Sequence, residues 1–567
     1  MTTTTDTWHS HHLFLHSDPE DTDAFLLRDA APLLDALVAA GEADRWFFIR
    51  YAQDGPHVRI RLHAPAGAAA AAGLPERLAR AGEAVPVAPG RWPSRHGEVR
   101  TVPYEPEAER YGGPAVLPVA EEVFAASTQV VLEALRALHA GGGGAAARLM
   151  LAADLAHTTA YGLGMDRLTA ARWLRRHAAG WRWVTEVPLL PGASVHAQVN
   201  SVYGAQRAGL GRRAAHVREQ LRAGTAAPWL GRWADRVREA DALLAAGGGR
   251  TLSAQRRACV WASQLHMLFN RLGVTPDEER AVCRLAARTL LETDEPPGFF
   301  PPGHTAADLQ YLERSKFQIG RGQDTALRTL PPGSPAASDA EEAATRPETA
   351  LPADPLPDVS LRTVLAGRSS LRGALEGPLD AGTLGSLLWH SLSESSRSEH
   401  PLPDGSVHTA THRPYPSAGA LYTARVRLLV LDVAGVPAGT YDCVPERRTL
   451  RRVGPAPEIV QVKALSTYLS RPAEDPDRIG VDRAPVVLGV YADLGLLRRR
   501  YGLRALRLAL LETGHMVQTL LLTGAALGLA GTPLGGFHDD LAQELFGLDD
   551  LDQPLQYLLP LGRRPAG

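Results

Sequence analysis

Lysine is almost missing from this sequence of 567 residues: only Lys316 and Lys463 occur, so 58 of the 60 basic side chains are arginine. With abundant Ala, Gly and Pro, the skew reads as a genome-level bias, and an exposed arginine here often stands where lysine would serve. Cysteine is scarce as well. Cys259, Cys283 and Cys443 are far apart and odd in number, which excludes a disulfide framework and predicts reduced thiols in a cytoplasmic protein. Net charge is close to zero, formally −2, which excludes a charge-driven grip on nucleic acid or anionic membrane. The start, MTTTTDTWHSHH, has neither a basic stretch nor an apolar core and predicts no signal peptide. The most apolar run, residues 508–530, is long enough to span a bilayer but carries Glu512, His515 and Gln518 near its middle. Each is costly in lipid, so a buried helix is expected instead.

What is present is ordinary globular composition, 45% hydrophobic and 22% charged, on a chain too long for one core. WFFIRY (46–51) and HVRIRLH (57–63) predict two strands joined by AQDGP, a hairpin with Asp-Gly at its tip. Helical patterns follow over about 119–140 and 252–272. From 291 the composition turns to Pro, Ala and acids, so 291–358 is predicted as a linker between a block at 1–290 and another at 359–567. In the second block, ARVRLLVLDV (424–433) and PVVLGVYADL (485–494) predict a strand pair beside the long apolar helix. The fold class expected is α+β in both blocks.

On HVRIRLH, residues two apart share a face, so Arg59 and Arg61 point away from Val58, Ile60 and Leu62. Such adjacent cations need either solvent or an anion. In YEPEAERYGG (104–113), three carboxylates and an arginine precede a Tyr-Gly-Gly turn. Pro106 is expected to open a helix, Glu107 and Arg110 to pair one turn apart, and Gly112 to end it. SQLHMLFNRLG (263–273) predicts a helix with Leu265, Leu268, Phe269 and Leu272 as its core stripe, and His266 and Asn270 beside it. A lone histidine there is commonly just satisfied by a neighbour. WHSHHLFLH sets His9 and His11 on one strand face, but no Cys or carboxylate follows at ligand spacing, so no metal site is expected.

Taken in order, FFIRY, GPHVRIRLH, YEPEAERYGG and HMLFNRLG resemble the C-terminal domain of lantibiotic dehydratases, also called the thiopeptide-type bacteriocin biosynthesis domain. The resemblance implies that 1–290 eliminates glutamate from glutamylated Ser or Thr of a precursor peptide, leaving dehydroalanine or dehydrobutyrine. It implies Arg59, Arg61, Glu107, Arg110 and His266 as the elimination residues. Those types suit the chemistry. Hydroxide is a poor leaving group, its conjugate acid having a pKa of about 15.7, whereas glutamate departs as a carboxylate whose acid has a pKa of about 3.5. Arginine forks hold the anionic ends with bonds that strengthen as charge develops. Glu107 would hold the ammonium or orient Arg110. His266 would remove the peptide α-proton or protonate the departing carboxylate, and both roles are open.

In GRSSLR (367–372), alternate residues Arg368, Ser370 and Arg372, with Ser369 between them, suit a phosphate. RPYPSAGALY (413–422) stiffens the backbone with two prolines, and its Ser417-Ala-Gly419 step allows close approach of a flat ligand. With LLETGHMVQ, LGLAGTPLGGF and LPLGRR, this ordered set resembles the nitroreductase-like, FMN-dependent SagB-type dehydrogenases, which oxidise thiazolines and oxazolines to azoles. The resemblance implies an FMN phosphate held by Arg368, Ser369, Ser370, Arg372 and the tail Arg563 or Arg564. It also implies a flavin ring lined by Ser417, Gly419, Gly535 and Gly536, with Glu512, His515 and Thr519 facing the flavin or a dimer interface. Those enzymes commonly carry Lys-Tyr before the long helix; here RRRYG provides Arg500-Tyr501. Arginine does not give up its proton near neutral pH. Either Tyr501 serves as base with Arg500 lowering its pKa, or another group does, or the oxidase is weak.

The combination is similar to the bifunctional proteins of lactazole-type thiopeptide pathways. It implies two enzymes acting on one ribosomally made precursor peptide, a separate partner that adds glutamate from glutamyl-tRNA, and a homodimer through the second block. A shared tethered substrate would see a raised effective concentration of the second site. Two alternatives stand beside this: a first block that forms a pyridine by cycloaddition, and a non-catalytic peptide-binding scaffold with a decayed flavin site. The Arg/Glu/Arg/His set favours elimination, because cycloaddition has no glutamate to grip.

Overall fold

The structure, a computed structural model, describes residues 6–65, 73–181, 184, 187–246, 252–291, 311–312, 315–316, 346–401, 407–549 and 551–565. Two compact units divide the chain, Met1–Trp181 with Ala197–Glu292, and Arg182–His196 with Thr293–Gly567.

In the first unit the alternating sequence of HVRIRLH forms a strand with one dry face. Strands β1 (Asp6–Phe14), β2 (Arg45–Tyr51), β3 (His57–Pro65) and β4 (Val99–Thr101) form an antiparallel sheet in the order β2-β3-β1-β4. The β2–β3 turn uses Asp54 and Gly55 at positive φ, 61° and 121°, the conformation that Asp-Gly supplies cheaply. Val58, Ile60 and Leu62 are buried with Leu13, Trp46 and Phe48 on the neighbouring strands. On the opposite face, Arg59 sits across from His12, which sits across from Arg100. His9 and His11 pair with Leu62 and Ile60 and so belong to the dry face.

Four helices matter for the site: α1 (Leu117–Ala140), α2 (Arg167–Gly180), α3 (Ala254–Leu272) and α4 (Pro276–Leu291). The Ser253 side chain caps the start of α3 by accepting from the Arg256 N–H, and Gly273 ends it at φ 79°. Leu265, Leu268, Phe269 and Leu272 are fully buried, each contributing about 1.5–3 kcal/mol. YEPEAERYGG forms the expected short helix, with Glu107 paired to Arg110 and Gly112 at its end. Its helical part is one 3-10 turn, Ala108–Tyr111. Gly112 and Gly113, at φ 100° and 104°, stop it there. At Gly112 a side chain would strike Leu252 and Val116, 2.8 and 2.9 Å away.

The second unit is built on seven strands: β5 (Glu348–Ala350), β6 (Ala424–Val430), β7 (Gly439–Val444), β8 (Thr449–Gly454), β9 (Val486–Ala492), β10 (Ala530–Gly531) and β11 (Leu555–Gly562). They pair antiparallel in the order β10-β11-β9-β6-β7-β8-β5. The long apolar run is helix α6 (Ala505–Ala526), preceded by α5 (Leu494–Tyr501). Among the described residues no helix is long and apolar enough to cross a membrane. Part of the segment read as linker is structured: β5 is the edge strand, and Glu348 accepts from Thr449 and Arg451 of β8. A polar edge strand draws its order from its neighbour, so composition hid it. Residues 292–310, 313–314 and 317–345 of that segment lie outside the described residues.

Candidate functional site

In the first unit, Arg59 and Arg61 project from β3 onto aromatic rings. Their guanidinium carbons lie 3.6 Å from the Tyr51 ring centre and 4.7 Å from that of Tyr104. Burial pushes both guanidinium pKa values down, and the Arg61 Nε is enclosed with no hydrogen-bond partner among the described residues. Glu107 is close enough to act electrostatically on both cations, and pairs with Arg110 at 2.9 Å. This exposed pair adds little stability. Arg110 also donates through Nε to Ser263 Oγ at 3.2 Å, one helical turn before His266 on α3. Strand, turn and helix thus bring Arg59, Arg61, Glu107, Arg110 and His266 into one region.

Behind His266 stands a carboxylate. His266 Nδ1 lies 2.8 Å from Glu279 Oε2 on α4, and Glu279 Oε1 receives His177 Nε2 at 2.6 Å and Trp181 Nε1 at 3.0 Å. Glu279 is 0% exposed. Burial opposes its ionisation, but His266 and His177 outweigh that and hold its carboxyl well below the usual range.

Two further basic side chains frame the region. Arg271 on α3 is 0% exposed, and among the described residues none of its three guanidinium nitrogens has a hydrogen-bond partner. It lies over Phe47 and Phe124, 5.7 and 5.3 Å from their ring centres. Burial pushes its pKa down to about 9. His12 faces Arg59, and burial followed by the charge of Arg59 pushes its pKa down to about 3, so it is neutral at pH 7. Asn270 serves the backbone instead. Its side chain accepts from the Arg50 N–H and donates to the Arg50 carbonyl, both at 2.8 Å, closing the free edge of β2.

In the second unit, the Ser417-Ala-Gly419 turn is held from below. Ser417 donates to Glu512 Oε2 at 2.7 Å and accepts from the Tyr422 N–H at 2.8 Å. Glu512 also accepts from Thr423 Oγ1 at 3.3 Å and the Ala424 N–H at 2.8 Å. Gly419, Ala420 and Tyr422 take positive φ of 60°, 52° and 48°. A side chain at Gly419 would meet the Tyr501 hydroxyl at 2.5 Å and the Arg500 guanidinium carbon at 3.2 Å. Arg500 and Tyr501 therefore lie directly over this glycine. On α6, Glu512 is buried against the turn, whereas His515, about one turn further on, is exposed and Thr519 is half-buried. Thr519 spends its hydroxyl on the His515 carbonyl.

A second group surrounds GRSSLR. Ser370 bridges to Gly531, Arg564 donates to Ser369 Oγ at 2.7 Å, and the Arg372 guanidinium lies 5.7 Å from the Tyr468 ring centre. Gly536 lies beside the same ring, and Gly535 opens onto free space. Arg563 turns away from this group to the Pro378 carbonyl. Among the described residues, no carboxylate pairs with Arg368, Arg372 or Arg564.

Residues 8–290 match the family described as lantibiotic biosynthesis dehydratase, C-terminal, and residues 365–563 match the nitroreductase family. The chain joins a lantibiotic dehydratase C-terminal domain to a nitroreductase domain. Over 212 residues the chain is 29% identical to a Methanocaldococcus jannaschii protein named as a nitroreductase, covering 37% of this chain and 95% of that one. Over 144 residues it is 31% identical to the microcin B17-processing protein McbC of Escherichia coli, covering 25% of this chain and only 50% of McbC. The solved pyridine synthase TbtD from thiomuracin biosynthesis is 23% identical, with a TM-score of 0.38, over 50% of this chain and 97% of TbtD.

Sequence reading of the dehydratase domain missed Glu279, His177, Trp181, Arg271 and His12. His12 was open to strand parity once paired with Arg59, and Arg271 stood inside HMLFNRLG on the buried stripe. Glu279 and its other partners carried no local signal, because they come from α2 and α4.

Proposed function

We propose that the dehydratase domain eliminates glutamate from glutamylated Ser or Thr of a ribosomally made precursor peptide. The nitroreductase domain oxidises azoline rings of the same class of substrate to azoles. The observation that carries the first reading is the convergence of Arg59, Arg61, Glu107 and Arg110 on the region of His266. Three cations around one carboxylate suit a departing amino acid with two carboxylates and one ammonium. In the elimination a base removes the α-proton of the esterified residue. The electron pair forms the Cα–Cβ double bond, the Cβ–O bond breaks, and its electrons leave with the glutamate carboxylate. Arg59, Arg61 and Arg110 stabilise that carboxylate and the side-chain carboxylate, while Glu107 meets the ammonium.

For the nitroreductase domain, the chemistry of the donor set fits FMN. Among the described residues no carboxylate pairs with Arg368, Arg372 or Arg564, which suits a phosphate, with Ser369 and Ser370 beside them; Ser417, Gly419, Gly535 and Gly536 are assigned to the lining of the flat ring, and Gly535 opens onto free space. Bound FMN supplies a hydride acceptor. Tyr501 removes the ring C–H proton, with the Arg500 guanidinium beside it over Gly419. A homodimer through this domain, a separate enzyme that installs glutamate from glutamyl-tRNA, and a cytoplasmic location complete the reading. Among the described residues Cys259, Cys283 and Cys443 form no disulfide, which suits a reducing compartment.

Incubating a glutamylated peptide with the protein and following it by mass spectrometry tests the first activity: free glutamate and a dehydrated peptide are expected, and persistence of the intact ester overturns it. An azoline peptide should lose two hydrogens per ring only when FMN is present. Tyr501→Phe should slow that loss without touching glutamate release.

A further inference from the structure

We propose that Glu279 is a positioning residue that locks His266 in the Nδ1–H tautomer and thereby makes its Nε2 the base of the elimination. This rests on the elimination reading and resolves which of two proton-transfer roles His266 takes. The geometry carries it. A carboxylate only accepts hydrogen bonds, so the 2.8 Å contact from Glu279 Oε2 puts a proton on His266 Nδ1. The remaining ring nitrogen, Nε2, then keeps its lone pair on the ring edge not engaged by Glu279, and among the described residues it has no hydrogen-bond partner. The Trp181 ring meets the imidazole edge-on, 4.9 Å between centres, and limits its rotation.

Glu279 is itself held rigidly. His177 Nε2 and Trp181 Nε1 both donate to Oε1, at 2.6 and 3.0 Å, so three N–H donors converge on one carboxylate with no exposure. Its place in the first turn of α4, beside Asp277 and Glu278, adds the favourable end of the helix dipole. A buried anion so fixed stabilises the imidazolium that forms when Nε2 takes the substrate α-proton. The step balances without any further reactant: the proton moves from Cα to Nε2, and the Cα–H electrons become the double bond as glutamate leaves. Arg110, which also feels the charge of Glu279, links this device to the anion-holding side of the site.

Glu279→Gln tests it, because the amide is isosteric yet presents an N–H₂ to one histidine. Facing His266, that group would donate to Nδ1 and move the ring proton to Nε2, removing the base. On a glutamylated peptide kcat is expected to fall by about 10²–10⁴, the range for losing a general base, with KM within about twofold. Long-range ¹H–¹⁵N spectra of histidine-labelled protein, with His266→Gln for assignment, report the tautomer directly. The wild type is expected to show Nδ1–H and Glu279→Gln the switch to Nε2–H. Wild-type protein with the proton on Nε2 overturns the proposal even if the variant does not fold, and so does a folded Glu279→Gln with unchanged kcat. Wild-type protein that releases no glutamate at all overturns the elimination reading instead, while the tautomer assignment is still decided by the spectra.

Discussion

The Ser417 hydroxyl donates a 2.7 Å hydrogen bond to Glu512, 95 residues further along the chain. Through this bond the long helix α6 fixes the shape of the turn that carries Gly419. Glu512 takes three donors in all, including the Ala424 N–H. Glu512→Ala would orphan them at a cost of about 1–3 kcal/mol per group. Lower thermal stability of the nitroreductase domain and less co-purifying flavin are expected, read from the melting curve and the visible absorbance. Full flavin content in a protein of unchanged stability would remove Glu512 from this role.

Gly419 is where a single methyl group should matter most. At φ 60°, and with Tyr501 and Arg500 already at 2.5 and 3.2 Å from an added Cβ, Gly419→Ala displaces the pair. Azoline oxidation is expected to drop by at least about tenfold, the effect of roughly 1.4 kcal/mol in the barrier, while glutamate release from the same preparation is unchanged. Equal loss of both activities would point to general misfolding.

Arg271 separates stability from activity. A buried guanidinium without hydrogen bonds costs several kcal/mol, and an apolar side chain of similar volume is often neutral or stabilising by about 1–4 kcal/mol. Arg271→Met is therefore expected to melt at the same or a higher temperature, yet to release glutamate more slowly. A destabilised variant with normal turnover would make Arg271 a packing residue only.

Acid should weaken the dehydratase domain through His157. It is buried, its Nδ1 has no partner among the described residues, and burial lowers its pKa from 6.5 to about 4. The unfolded chain binds this proton below about pH 6.5 and the folded chain only below about pH 4, so stability falls as pH drops through that window. The full shift corresponds to about 3 kcal/mol. Denaturant unfolding of this domain between about pH 7 and pH 4 should show a shallower pH dependence in His157→Gln than in wild type. Parallel curves would exclude His157 as the source.

The main features of the dehydratase site were legible in short stretches. Strand alternation aimed Arg59 and Arg61 together, and the Gly pair marked a turn after Glu107 and Arg110. The helix after Pro106 is a single 3-10 turn, and Gly112 and Gly113 end it at positive φ. The edge strand Glu348–Ala350 was hidden because its order comes from pairing with Thr449–Arg451 and from the Glu348 contacts, which no composition reveals.

Residue type and local period were enough to say which side chains point the same way, since the two-residue repeat of a strand and the turn of a helix are set by backbone geometry. They placed cations beside one another and glycine where the backbone needed it. Which group answers each charge was a matter of packing: His266 and His177 both reach Glu279 only because α2, α3 and α4 come together, and Glu512 on α6 anchors a distant turn. Pairing and burial depend on elements far apart in the chain, so their energies enter only when those elements meet.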